Sequence, residues 1–145
     1  MKVQELMSNP VVRIMADEPV SVAARTLTHY NIGAMPVCGS DGRVCGVITD
    51  RDIVTRCLAA QRPADYTPVR EVMTKQVLSV SPDTAVEEAA ALMAKCQVRR
   101  LPVVNHGRLC GMLTLGDLAA SKKESFSSQN VASVLQQITS NISVR

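Results

Sequence analysis

The sequence has no tryptophan, one phenylalanine and two tyrosines. Proteins that stack bases need several exposed aromatic side chains, so this composition argues against an RNA-recognition or single-strand-binding surface. Long apolar runs are also missing. No stretch approaches the roughly 18 residues needed to cross a bilayer, and the start, MKVQELMSNP, is too polar for a secretory signal. The expectation is a protein of the cytoplasm that does not touch the membrane. No charge of one sign dominates: the formal net charge of +3 is spread along the chain, too little to imply nucleic acid by itself. The five cysteines, Cys38, Cys45, Cys57, Cys96 and Cys110, make no CxxC pair and leave one unmatched in any disulfide scheme, so they read as reduced thiols. With only His29 and His106 beside them, no zinc set of finger-like spacing can be assembled, and no metal site is expected. Phosphate-loop and dinucleotide fingerprints are absent, as is a GxSxG nucleophile elbow. His29 aligns with Lys95 in the repeat described next and His106 lies in a turn, so neither is matched to a nucleophile. An enzyme is not expected.

What is present is a repeat. The chain has 145 residues, 46% hydrophobic and 20% charged, enough for a buried core. Sliding it on itself by 66 positions pairs Val3 with Val69, Glu5 with Glu71, Met7 with Met73, Val11 with Val77 and Asp17 with Asp83. Val20, Ala23, Ala24 and Leu27 meet Val86, Ala89, Ala90 and Met93, at the spacing of an amphipathic helix with small residues on its packing face. After Pro36 and Pro102 the offset falls to 65, bringing Cys45-Gly46, Thr49 and Asp52 onto Cys110-Gly111, Thr114 and Asp117. The lost residue falls in a turn, because Ser40-Asp41-Gly42-Arg43 and Asn105-His106-Gly107-Arg108 are both glycine-containing hairpin signals between apolar runs.

Each repeat therefore predicts a short opening helix, a strand (Val11 to Ile14; Val77 to Val80), an amphipathic helix, an apolar hairpin and a closing helix. The fold class is α+β: two αβαββα repeats, packed through their sheets by pseudo-two-fold symmetry, since a unit of about 60 residues buries too little surface alone. The boundaries are 3–60 for the first repeat, 61–68 for a proline-containing linker, 69–121 for the second repeat and 122–145 for a tail. Within that tail SKKESFSS reads as a flexible exit, and Val131, Val134, Leu135 and Ile138 as the apolar stripe of a short helix.

The aligned repeats resemble the CBS domain, and the pair resembles a stand-alone tandem CBS module, the arrangement called a Bateman module. The resemblance covers residues 3 to 121 and rests on two segments per copy: Ala34-Met35-Pro36-Val37 with Gly46-Val47-Ile48-Thr49-Asp50-Arg51-Asp52, and Arg100-Leu101-Pro102-Val103 with Gly111-Met112-Leu113-Thr114-Leu115-Gly116-Asp117. A single GxxTxxD is weak; two in register behind the same strand pattern are specific.

The resemblance implies a ligand. In family members that bind adenosine compounds the motif aspartate accepts the ribose hydroxyls, which points to Asp52 and Asp117, with Thr49 and Thr114 facing a ribose or phosphate oxygen at the start of the closing helix. A carboxylate is an acceptor-only group suited to two vicinal hydroxyls. The competing reading is local: the threonines are helix caps and the aspartates supply first-turn charge. By the same resemblance Val12, Ile14, Ala34 and Met35 in one repeat, and Leu78, Val80, Arg100 and Leu101 in the other, enclose an adenine, although any sheet core would bury most of them. Gln97-Val98-Arg99-Arg100 resembles the basic pair that reaches phosphates in nucleotide-binding members. That pair would serve the cleft of Asp52, beside Arg51, whereas the cleft of Asp117 has Gly116 and receives Gly33 and Ala34. The two clefts are expected to be unequal, unless the arginines are plain surface charge.

The implied function is a regulatory module that senses an adenosine-containing nucleotide (AMP, ADP, ATP, NAD or S-adenosylmethionine), requires no other cofactor, forms a homodimer and signals in trans to an effector protein. The alternatives are a structural dimerisation module or a nucleic-acid accessory module with no bound nucleotide.

Overall fold

The computed structural model describes residues 1–9 and 11–121, with Leu135, Gln136 and Ile138. In chain order a 3-10 turn (Val3–Glu5) precedes β1 (Ile14–Met15), α1 (Val20–Tyr30), β2 (Ala34–Cys38), β3 (Val44–Thr49) and α2 (Asp50–Asp52), which runs on as a π-helix over Ile53–Leu58. A second 3-10 turn (Val69–Glu71) precedes α3 (Val86–Cys96), β4 (Arg100–Asn105), β5 (Arg108–Thr114) and α4 (Leu115–Ala120). The mixed helix and strand architecture is the expected one, with the opening helices reduced to single 3-10 turns.

The apolar spacing becomes the buried faces of the two long helices: Val20, Ala23 and Leu27 in α1, and Val86, Ala89, Ala90 and Met93 in α3. Both helices stop in the same way. Asn31 and Gln97 take the left-handed conformation, at φ 53° and 59°, and Ile32 and Val98 donate back to the carbonyls of Leu27 and Met93. Gly42 and Gly107 turn the hairpins at φ 81° and 82°, a region open to glycine.

The sheets differ between the repeats. β1 pairs parallel to β2, Ile14 opposite Val37 and Met15 opposite Cys38, and β2 pairs antiparallel to β3, Ala34 opposite Thr49. β4 pairs with β5, but the strand expected over Val77 to Val80 shrinks to a single parallel bridge between Val80 and Val103. Sequence explains the difference. Ala16 extends the first ladder by donating to the carbonyl of Cys38 (2.9 Å); its counterpart is Pro82, which has no N–H to give.

The chain divides into two compact bodies that do not coincide with the sequence repeats. Among the described residues, the first body comprises Val12–Val77 with Gly107–Leu109, and the second comprises those before Val12, Leu78–His106 and those from Cys110 onward. In the first, Ile14, Val20, Leu27, Met35, Val37, Ile48 and Cys57 share a core with Val69, Val72 and Met73. In the second, Val86, Met93, Leu101, Val103, Leu113 and Leu118 share a core with Val3 and Ile138. The opening turn of each repeat thus closes the core of the other repeat's body. Each opening segment is held to its core by an isolated backbone bridge. Val47 and Thr74 exchange two hydrogen bonds (2.9 Å each), as do Ser8 and Met112 (2.9 and 3.1 Å). Residues 61–68 are built into the first body as well: the N–H groups of Val20 and Ser21 donate to the carbonyls of Thr67 and Ala64, and Thr67 is buried. Of the expected terminal stripe, Leu135 and Ile138 are helical; Val131, Val134 and residues 122–128 lie outside the described residues.

Candidate functional site

Each closing helix begins with a reciprocal cap. At α2 the Thr49 hydroxyl accepts the N–H of Asp52 (3.0 Å), and the Asp52 Oδ2 accepts the N–H of Thr49 (3.1 Å). At α4 the Thr114 hydroxyl accepts the N–H of Asp117 (3.0 Å), and the Asp117 Oδ2 accepts the N–H of Thr114 (2.8 Å). The capping role foreseen for the Thr-x-x-Asp motif is therefore present in both copies. A further backbone bond ties each helix start to the residue before the hairpin: Asp50 donates to Gly33 (3.0 Å) and Leu115 to Arg99 (2.8 Å). This draws Ala34 towards the Asp52 cap in the first body, and Arg99 and Arg100 towards the Asp117 cap in the second.

The two carboxylates then differ. Asp52 is 7% exposed, and the Thr74 hydroxyl lies 3.2 and 3.3 Å from its two oxygens, with Arg56 Nε 3.9 Å from Oδ1. Arg56 is itself held by the carbonyl of Met73 at 3.1 Å. Asp117 is half-buried, and its Oδ1 accepts no hydrogen bond among the described residues. Thr74 and Arg56 were not singled out from the sequence. The repeat offset held a signal for the first, since Thr74 falls on Ser8 and preserves a hydroxyl after the methionine; Arg56 falls on Ser121, which carries no such signal.

The other sequence-derived site residues distribute by body. Val12, Ile14, Ala34, Met35, Thr49, Arg51 and Asp52 lie in the first; Leu78, Val80, Arg99, Arg100, Leu101, Thr114 and Asp117 lie in the second. Ile14, Met35 and Leu101 are at most 2% exposed and serve the two cores, as does Val80, whereas Val12, Ala34 and Leu78 keep partial exposure. Arg51 and Arg99 are exposed and Arg100 half-buried.

All five cysteines are free thiols. Cys45 and Cys110, paired by the repeat, donate to the carbonyls of Val37 and Val103, and burial raises the pKa of Cys38, Cys45 and Cys110 above the ordinary thiol value. They pack as small weakly donating apolar groups. Among the described residues no three of His, Cys, Asp and Glu are gathered to hold a metal ion, and no helix is long and apolar enough to cross a membrane.

Comparison with known proteins matches this geometry. A family model described as CBS domain fits the chain twice, over residues 3–59 and 69–124. The CBS domain-containing protein YhcV of Bacillus subtilis is 36% identical over 137 residues, covering 94% of each chain. Among solved structures, Hypoxic Response Protein I with two coordinated zinc ions superposes with a TM-score of 0.76 at 32% identity, over 85% of this chain and 100% of that one. The CBS domain pair of protein MJ0100, in complex with 5'-methylthioadenosine and S-adenosyl-L-methionine, superposes with a TM-score of 0.69 at 28% identity, over 82% and 97%.

Proposed function

Because this chain belongs to the CBS-domain family and carries two copies of the domain in tandem, we propose that it is a regulatory module that binds an adenosine-containing ligand and passes the binding event to a partner protein. The observation that carries this reading is the half-engaged carboxylate of Asp117. The cap fixes one oxygen in place, and the other accepts nothing among the described residues. A vicinal diol is the complementary group, because two hydroxyls can donate to one carboxylate. Asp52 fits the same motif but is already bonded to Thr74 and approached by Arg56, so a ribose there must displace partners. The ribose reading therefore favours Asp117 over Asp52, the reverse of the order drawn from the arginines alone. In this proposal Thr49 and Thr114 border the ligand, Val12, Ala34 and Leu78 present apolar surface to an adenine, and Arg51, Arg99 and Arg100 supply charge for a phosphate where the ligand has one.

The bound compounds of the MJ0100 pair, both thioadenosines, support an adenosine-reading site in this family of folds. Isothermal titration of the purified chain with adenosine, AMP, ATP and S-adenosylmethionine tests the proposal. Asp117→Ala is expected to weaken binding at least tenfold, since a charge-assisted hydrogen bond contributes about 1.5–3 kcal/mol. No binding of any of the four, or equal binding by the variant, rejects it.

A further inference from the structure

Arg56, Arg62, Arg70 and Lys75 line a cleft of about 750 Å³ in which Glu71 is the one carboxylate of the wall. Every wall residue falls within 12–77, so the cleft is a property of the first body alone. Two of its cations are fixed in place. Arg62 is bridged to Glu71, and Arg56 gives Nη1 to the carbonyls of Met73 (3.1 Å) and Val72 (3.4 Å). The other two, Arg70 and Lys75, are exposed and have no carboxylate within ion-pair distance among the described residues.

The fold does not demand this cluster. At the aligned positions of the other repeat Arg70, Lys75 and Arg56 are replaced by Gln4, Asn9 and Ser121, while the acidic residue is kept as Glu5. Four cations here meet two carboxylates, Glu71 bridged to Arg62 and Asp52 3.9 Å from Arg56 Nε, and the remaining positive excess costs mutual repulsion, which an anionic ligand would relieve. Guanidinium groups pair with phosphate oxygens through two parallel donors, and an ammonium adds a mobile point charge. The volume lies within the range of about 300–1,000 Å³ typical of small-molecule sites, well above what one phosphate fills.

We propose that this cleft binds an oligophosphate, a chain of two or more linked phosphoryl groups, with Arg56 and Arg62 as the preset donors and Arg70 and Lys75 as the residues that close on the ligand. The chemistry is shared by inorganic oligophosphate and by the phosphate tail of a nucleotide. It does not depend on the ribose reading of Asp117.

Titration calorimetry of the full chain with sodium triphosphate, ATP and adenosine separates the sources. The double variant Arg70→Gln, Lys75→Gln is expected to weaken triphosphate or ATP binding at least tenfold, with adenosine affinity and melting temperature unchanged, because both side chains are exposed. Weakened triphosphate binding assigns the cleft to free oligophosphate; weakening of ATP alone assigns it to a nucleotide tail. The proposal is overturned if neither anion binds the wild-type chain, or if the double variant binds them as tightly as the wild type. Failure of the adenosine reading is registered by the adenosine arm alone.

Discussion

Removing Asp52 and removing Asp117 delete the same side chain from the same motif, yet the two carboxylates hold different numbers of partners. Asp52→Ala strands the Thr49 N–H and the Thr74 hydroxyl next to a 7% exposed position, and leaves Arg56 without its nearest carboxylate. We expect a loss of about 2–3 kcal/mol from those buried partners. Asp117→Ala loses one cap on a half-buried helix start, worth about 1 kcal/mol. Urea unfolding midpoints measure both, and equal losses would contradict the assignment of Asp52 to a mainly structural task. The motif itself was legible as two Thr-x-x-Asp copies, and so was its capping chemistry. What the spacing could not reveal was that Thr74, 22 residues further on, returns to the first carboxylate; that contact depends on where a distant segment docks.

At the scale of elements, the glycine of each Gly-h-h-Thr-x-x-Asp strand is set by the chain that crosses it. A Cβ on Gly46 would lie 2.8 Å from the Thr74 carbonyl oxygen and 2.5 Å from Met73 Sδ; on Gly111 it would meet the Met7 side chain, Sδ again at 2.5 Å. The distinction decides the outcome, because a methionine side chain can swing away and a ladder carbonyl cannot. Gly46→Ala is expected to cost about 1–3 kcal/mol, and Gly111→Ala about 1 kcal/mol or less. Thermal denaturation of the two variants checks the order; a larger loss at Gly111 would show that Met7 is not free to move. Hairpins, long helices and their turns followed from periodicity and from glycine placement. The first strands did not. Val11 and Val77 promised equal strands, but Pro82 replaces the donor Ala16 and leaves Val80 with a single bridge. That proline stood in the sequence, and its effect required knowing which N–H the ladder uses.

For the molecule as a whole, the π-helix after α2 leaves Val54 and Leu58, and α1 leaves Tyr30, between 54% and 64% exposed. Homodimer formation would cover such side chains, as isologous pairing often does. Light scattering at micromolar concentration is expected to return twice the chain mass, and Val54→Asp with Leu58→Asp to return the chain mass; a monomeric wild type would dismiss the idea. The sequence repeats at 3–60 and 69–121 are not the physical bodies, because Val69, Val72 and Met73 complete the first core and Val3 the second. A fragment of residues 12–77 should therefore unfold cooperatively in urea, where a fragment of residues 3–60, of nearly equal length, should not. The exchange also imposes a timetable on synthesis. The first body has nearly all its parts once residue 77 has left the ribosome, whereas Val3, made before any of them, has no core to enter until residues 78–118 follow. At about 5–20 residues per second the 115 residues between Val3 and Leu118 take on the order of 6–23 s. For that interval the segment around Val3 is an undocked apolar turn on a nascent chain, and chaperones would meet it there.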